Sequence, residues 1–375
     1  MKTITILALH LSYGGVEKYI SSLCKMLHNE YNIKIISTYN NGNKTAFEFD
    51  KNVEIEYLID KMPNKKELLN ALNKRNLVKI IGELIKSIKI IFLKYYRNIR
   101  AIKKVNSDYI ITTRIFHNNL VSKFASKKII KIATEHNYHN DDIKYVSQLI
   151  KSVSKFDYFV VVSRELKEYY CGRIIEPKVI YIPNVLDSMP KAQSKLDKNN
   201  VISIGRFSKE KDFVTLLKVF KEVKKSNASV NLYLIGDGEE SENIKQYIKT
   251  NNLESSVILP GFLDQTEIEK YMLNSKIYVM TSITESFGLV LIEAMSYGLP
   301  CVAFDSASGA RELIENDKNG YLVSNRNMKK MSDKIVELIN CKDIYSYSNE
   351  AQLTSKKYLI KNIKKLWIDL LEEKL

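Results

Sequence analysis

Arg206 and Lys211 stand in the stretch Gly205-Arg206-Phe207-Ser208-Lys209-Glu210-Lys211-Asp212, after an apolar run and before a helical pattern. Such a pair suits a diphosphate, because Arg offers a planar fork of donors and Lys a compact charge. A solvated charged turn would use the same residue types. Glu285 and Glu293 frame Ser286-Phe287-Gly288-Leu289 and the apolar residues after it. A carboxylate inside an apolar helix is costly without a donor, and sugar or ribose hydroxyls would be suitable donors. The plainer readings are a capping carboxylate for Glu285 and an ion pair to a neighbouring strand for Glu293. Two further strand-to-helix loops carry small residues. Ser12-Tyr13-Gly14-Gly15-Val16-Glu17 and Asp305 to Arg311, with Ser308-Gly309, could present backbone N–H groups to an anion or a sugar.

Other chemistries find no support. Gly236-Asp237-Gly238-Glu239-Glu240 begins like a dinucleotide fingerprint but lacks the third glycine, and its acidic residues would repel a pyrophosphate. No Walker A, zincin or G-x-S-x-G pattern occurs. The five His (His10, His28, His117, His136, His139) show no metal-ligand spacing, although His136 and His139 stand three apart. The four Cys are scattered, which argues against a disulfide scaffold and fits a reducing compartment. No metal and no resident cofactor are expected.

The elements that must hold these loops follow from the apolar runs. Strands are expected at Ile4–Leu9, Ile33–Ser37, Tyr109–Thr112, Ile129–Ala133, Tyr158–Val162 and Val179–Ile182. The second half adds Val201–Ile204, Val230–Ile235, Val257–Leu259, Ile277–Met280 and Cys301–Phe304. These runs lack clean alternation, as parallel strands buried on both faces do. Helical patterns such as Val16–Leu27, Phe213–Lys224 and Leu289–Tyr297 lie between them. Two doubly wound α/β domains are therefore predicted, over 1–185 and 201–352, with a polar linker over 186–200. The segment 353–375 reads as a final helix that crosses back to the first domain. In open α/β sheets, ligands bind beyond the carboxyl ends of the strands.

The chain has 375 residues, 45% apolar and 27% charged, which excludes a disordered chain. Its net charge of +15 is lopsided. Residues 1–180 hold 31 basic and 17 acidic side chains, and 181–375 hold 27 and 26. Residues 61–104 alone hold 13 basic and 2 acidic. Within them Leu77, Ile81, Leu84, Ile85, Ile88, Ile91, Phe92 and Tyr95 share one face of a helix. Lys79, Lys86 and Arg97 fall opposite, and Ile90 and Leu93 interrupt that polar face. Such a helix can lie in the headgroup region of an anionic bilayer, or pack its apolar face on a sheet. Periodicity does not decide between them. Nucleic acid is disfavoured, since no recognition signature accompanies the charge. Neither a targeting segment nor a membrane span is expected.

The motifs in their order resemble the retaining family 4 glycosyltransferases of the GT-B fold, in which two Rossmann-like domains face a central cleft. The matching pieces are Tyr13-Gly14-Gly15-Val16-Glu17, Thr134-Glu135-His136-Asn137, Val162-Ser163, Ile182-Pro183-Asn184, Gly205-Arg206 to Lys211, Gly236-Asp237-Gly238 and Glu285 to Glu293. The resemblance implies that Arg206 and Lys211 hold the nucleotide diphosphate and stabilise the leaving group. It implies that Glu293 bonds the ribose, that Glu285 contacts the donor sugar and that His136 sits beneath that sugar. Phe287, Gly288 and Leu289 would lie near sugar and phosphate with Ser286, and Gly15 would admit the phosphates. The base would rest by Phe262 and Leu263. The implied enzyme is cytoplasmic and peripheral at the inner face of the plasma membrane. It moves a sugar from a nucleotide sugar, UDP favoured over GDP, to a lipid-linked saccharide or another cell-surface glycan. Its alternatives are a nucleotide-sugar epimerase of similar form and a non-catalytic protein that binds anionic membrane or polymer. Two departures from the pattern stand out: Pro183-Asn184 lacks a following glycine, and Asp212 replaces the glycine often found after the lysine.

Overall fold

A computed structural model describes residues 1–40, 42, 45–60, 62–139 and 142–373. The chain divides into two compact units, one of Met1–Val161 with Lys167–Tyr181, the other of Val162–Leu166 with Ile182–Leu375. The first unit carries strands β1 (Thr3–Ala8), β2 (Asn32–Tyr39), β3 (Glu54–Ile59), β4 (Tyr109–Thr112), β5 (Ile130–Glu135), β6 (Tyr158–Val161) and β7 (Lys178–Tyr181). Its helices are α1 (Gly15–Leu27), α2 (Lys65–Asn73), α3 (Leu77–Lys104), α4 (Ile115–Phe124) and α5 (Ile143–Val153), and α6 (Arg164–Cys171) straddles the division. The second unit carries β8 (Asn200–Ile204), β9 (Asn231–Ile235), β10 (Val257–Gly261), β11 (Ile277–Met280), β12 (Cys301–Phe304) and β13 (Gly320–Val323). Around them lie α7 (Phe213–Ser226), α8 (Ser241–Thr250), α9 (Gln265–Leu273), α10 (Leu289–Ser296), α11 (Ser308–Leu313), α12 (Met328–Asn340), α13 (Ile344–Lys357) and α14 (Ile360–Leu371).

Both sheets are parallel throughout. The first runs β3-β2-β1-β4-β5-β6-β7 and the second β10-β9-β8-β11-β12-β13. The order reverses between β1 and β4 in one and between β8 and β11 in the other. These are the switch points where loops diverge and leave room for a ligand. Central strands are buried on both faces: Ile6, Leu7, Ile110, Ile111, Ile132, Val279, Val302 and Ala303 are inaccessible. That explains their unbroken apolar runs. Two edge strands, β3 and β13, lie beyond the sequence expectation. In β3, Glu54, Ile55 and Glu56 alternate on a half-exposed edge, so no continuous apolar run announces it.

Two expectations need restating. The segment 353–375 holds the end of α13 and then α14, and both group with the second unit. Between them, Leu359 pairs with Leu186, whose N–H donates to the Tyr358 carbonyl at 2.8 Å. The second concerns α3. The reading in which its apolar face packs on a sheet is overturned over most of its length. Ile85, Ile88 and Phe92 are 62%, 67% and 64% exposed, and Leu77, Ile81, Leu84, Ile91 and Tyr95 lie open beside them. The interruptions in the polar face are the reason. Ile90, Leu93 and Lys94 are half-buried with Glu83 and Ser87, so the helix turns that side to the protein. Asn64 of the preceding segment donates to the Glu83 carboxylate at 2.6 Å, and Ser87 donates to Asn64 at 2.9 Å. Only Asn98 and Ile102, near the carboxyl end, are fully buried. No helix of the described residues is long and apolar enough to cross a membrane.

Candidate active site

In the second unit the polar loops gather at the β8/β11 switch point. The loop after β8 carries Arg206, exposed, and Lys211, half-buried. Its course is set by close backbone packing. A Cβ at Gly236 would lie 1.9 Å from the Gly205 carbonyl oxygen, and one at Gly238 2.3 Å from that of Phe207. The Phe207 N–H donates to the Asp237 carbonyl at 2.9 Å, and the Gly205 N–H to the Ile235 carbonyl at 3.0 Å. Gly236-Asp237-Gly238 thus serves as a shelf beneath Arg206, which explains its glycines without a dinucleotide.

The loop after β11 carries the two carboxylates. Lys211 Nζ donates to Glu285 Oε2. Both side chains keep partial solvent access, so neither charge is stranded. Glu293 lies half-buried on α10, one helix turn and more beyond Leu289. Gly288 precedes α10 with φ 87° and, having no side chain, caps none of its first N–H groups. Ser286 is buried. The Phe287 ring is also buried, edge-on to Tyr358 at 5.4 Å between centroids. The Phe287 side chain therefore belongs to the core, which leaves its backbone as the part that could meet a ligand. The Gly309 N–H donates to the Glu285 carbonyl at 2.9 Å, and a Cβ at Gly309 would lie 2.0 Å from the Phe287 carbonyl oxygen. Loops 285–288 and 305–309 are thereby locked together. Phe262, exposed, and Leu263 follow β10, two strands from β8 at the same edge of carboxyl ends.

Asp212 has a structural account. Its φ is 48°, the left-handed region where glycine costs least, and it caps α7 by accepting from the Thr215 N–H. Its other oxygen accepts from Arg326 Nη2. Arg326 also donates to the carbonyls of Thr281 and Ser282, at 3.1 and 3.2 Å, and lies over the Phe304 ring. Asp212 therefore ties the Lys211 loop to the loop after β11. Arg326 was missed by sequence reasoning, since it stands 114 positions from Asp212 in an irregular turn with no local signal.

Gly15 and His136 belong to the first unit. Gly15 opens α1, and a Cβ there would meet no protein atom, so the fold itself does not require glycine. Gly14 differs: its Cβ would strike the buried Glu17 carboxylate at 2.1 Å. His136 follows β5, its ring 4.1 Å from that of Tyr19 and its Nε2 3.0 Å from Thr134 Oγ1. Burial, with the Arg114 charge adding to it, holds its pKa down at about 3. At neutral pH it is an uncharged imidazole that can accept or donate one hydrogen bond. Among the described residues no three His, Cys, Asp or Glu side chains gather as a metal-ligand set.

Residues 186–365 match the family described as Glycosyl transferases group 1. An uncharacterized glycosyltransferase of Haemophilus influenzae is 27% identical over 98% of this chain and 99% of its own. A Campylobacter jejuni enzyme is 23% identical over 96% of both chains; its name is N-acetylgalactosamine-N,N'-diacetylbacillosaminyl-diphospho-undecaprenol 4-alpha-N-acetylgalactosaminyltransferase. Among solved structures, a mutant of Staphylococcus aureus TarM in complex with fondaparinux, alpha-GlcNAc-glycerol and UDP superposes with a TM-score of 0.81 at 18% identity, covering 99% of this chain and all of that one. The second unit thus carries the match to the Glycosyl transferases group 1 family, and the two parallel Rossmann-like sheets give the chain the GT-B fold seen in TarM.

Proposed function

We propose that the protein transfers a sugar, with retention at the anomeric carbon, from a UDP-sugar to a lipid-linked saccharide or another cell-surface glycan. The observation that carries the reading is the Lys211–Glu285 pair beside Arg206 at the β8/β11 switch point. A diphosphate would compete with Glu285 for the Lys211 ammonium. A donor-sugar hydroxyl would then replace Lys211 as the partner of Glu285. Charge develops on the leaving diphosphate as the anomeric bond breaks, so a preorganised Arg206 and Lys211 would act where charge grows. The departing phosphate oxygen would take the acceptor proton on the same face, and the reading calls for no metal. Glu293 would hold the ribose, and the neutral His136 would meet the sugar. UDP is favoured because TarM is seen with UDP. A lipid-linked acceptor is favoured by the name of the Campylobacter relative and by α3. Besides its open apolar face α3 carries the basic residues Lys79, Lys86 and Lys89, a combination that suits the inner, anionic face of the plasma membrane.

Thermal stabilisation by UDP, GDP and ADP tests the donor site. A nucleotide at a hundred times its dissociation constant should add about 2.7 kcal/mol. UDP is expected to stabilise the wild type, and Glu293→Gln to weaken that effect. No stabilisation by any nucleotide would return a non-catalytic binding role to the front. Turnover of a UDP-sugar without acceptor to an epimeric UDP-sugar would instead favour an epimerase.

A further inference from the structure

We infer that the cavity at the β1/β4 switch point of the first unit binds a phosphate group of the acceptor, an assignment that rests on the transferase reading above. The cavity holds about 290 Å³ and is lined in part by Lys94, Thr113, Arg114, Phe116 and Glu135. Two of its buried donor atoms lack partners of their own. Thr113 is 4% exposed, and its hydroxyl has no hydrogen-bond partner among the described residues. The Arg114 Nε is buried and equally unclaimed. Arg114 is also the N-cap residue of α4 and provides no side-chain cap, so the first N–H groups of this ten-residue helix lack side-chain acceptors. Ile115 and Phe116, which own two of them, line the cavity.

Lys94 enters from α3, its ammonium 3.8 Å from the centre of the Phe116 ring. It forms no ion pair with any described residue, although it is only half-exposed. The nearby carboxylates are already engaged. Glu135 accepts from the backbone N–H groups of His136 and Asn137, at 2.9 and 2.7 Å, and from the Tyr145 hydroxyl at 2.7 Å. Glu17 lies 3.5 Å from Arg114 Nη2 and 3.5 Å from His10. A hydroxyl, a guanidinium edge, an ammonium and a helix N-terminus without an acceptor match the oxygens of a phosphate. Lys94 shares α3 with the exposed apolar face, so one of these donors lies on the same helix as that open surface. The phosphate that joins a lipid to a saccharide meets both requirements. A phosphate without a lipid meets only the first.

The test uses the full chain carrying Arg206→Ala and Lys211→Ala, which removes the competing cations of the second unit. Inorganic pyrophosphate and farnesyl diphosphate are titrated into this parent, and into the parent with Lys94→Met or Thr113→Val added. Lys94→Met should weaken pyrophosphate about tenfold, and Thr113→Val about threefold, as lost hydrogen bonds to a charged group do. Thr113→Val should not lower thermal stability, because its hydroxyl bonds nothing in the fold. Unchanged affinity in both variants, or no binding of pyrophosphate by the parent, would overturn the site. Farnesyl diphosphate binding about tenfold more tightly than pyrophosphate supports a lipid-borne phosphate; equal affinities keep the site and assign it to a phosphate without lipid. Failure of UDP to bind the wild type would end the transferase reading alone, since this comparison is made without Arg206 and Lys211.

Discussion

His117 shows what burial does to one residue. Its ring is inaccessible, with Nε2 3.0 Å from Thr38 Oγ1 and Nδ1 without a partner among the described residues. Burial, followed by the charges of Lys94 and Arg114, lowers its pKa from 6.5 to about 3. The folded pKa lies below the unfolded one, so the folded state refuses a proton that the unfolded chain accepts. Stability is therefore complete above about pH 6.5 and drains away as pH falls toward 3. From pH 7 to 5 the loss from this one group should be about 2 kcal/mol. His136 adds a loss of the same sign. Melting temperature measured across that range should fall for the wild type, and less steeply for His117→Gln. Parallel curves would show that His117 is not held neutral. Asp212 teaches a second lesson at this scale: a residue that breaks a motif can be held by a distant partner, here Arg326.

At the scale of the element, α3 departs from the habit of its fold. Most helices here follow ordinary amphipathic burial, as α7 does with Phe213, Leu216, Leu217, Phe220 and Val223 buried. In α3 the richer apolar face is open, and the half-polar one meets the protein. Replacing Ile85, Ile88 and Phe92 with Ser should leave the melting temperature within about 1 °C to 2 °C of wild type, because exposed sites contribute little to folding. The same variant should lose binding to phosphatidylglycerol vesicles in co-sedimentation. Charge reversal at Lys79, Lys86 and Lys89 should do likewise. Arg97 is a poor choice for that experiment, since it donates to the Leu58 carbonyl and helps hold the helix down. A marked drop in stability, with vesicle binding intact, would return α3 to the core.

At the scale of the molecule, the site of the second unit depends on loops that pack backbone to backbone. Gly309 is the tightest of these contacts on the Glu285 loop. Gly309→Ala should cost about 1–3 kcal/mol through overpacking and displace Glu285 from Lys211. Hydrogen exchange should then speed up in β11 and β12 while β1, β4 and β5 keep their protection, because the damage stays within one compact unit. Loss of protection in both units would mean that they unfold as one. UDP affinity should fall in the same variant, even though Gly309 carries no side chain to touch a ligand.

The sequence by itself determined the central strands, the loops that follow them and the order of the motifs. Parallel strands buried on both faces must be continuous apolar runs, and strand-to-helix loops must be short and rich in small residues. Strand patterning placed Arg206, Lys211 and Glu285 on loops that follow strands, whereas grouping them with Glu293 as one site came from the family resemblance. The edge strand β3 was not legible, since a half-exposed strand alternates and blends into loop composition. Nor could periodicity say which face of α3 meets the protein, because a bilayer and a core ask for the same apolar stripe. Only the tertiary structure decided that Phe287 is core, that Asp212 is held by Arg326, and that Thr113, Arg114 and Lys94 share one cavity. Each of these depends on residues far apart in the chain, whose meeting is fixed by the order of strands in the sheet and leaves no local mark in the sequence.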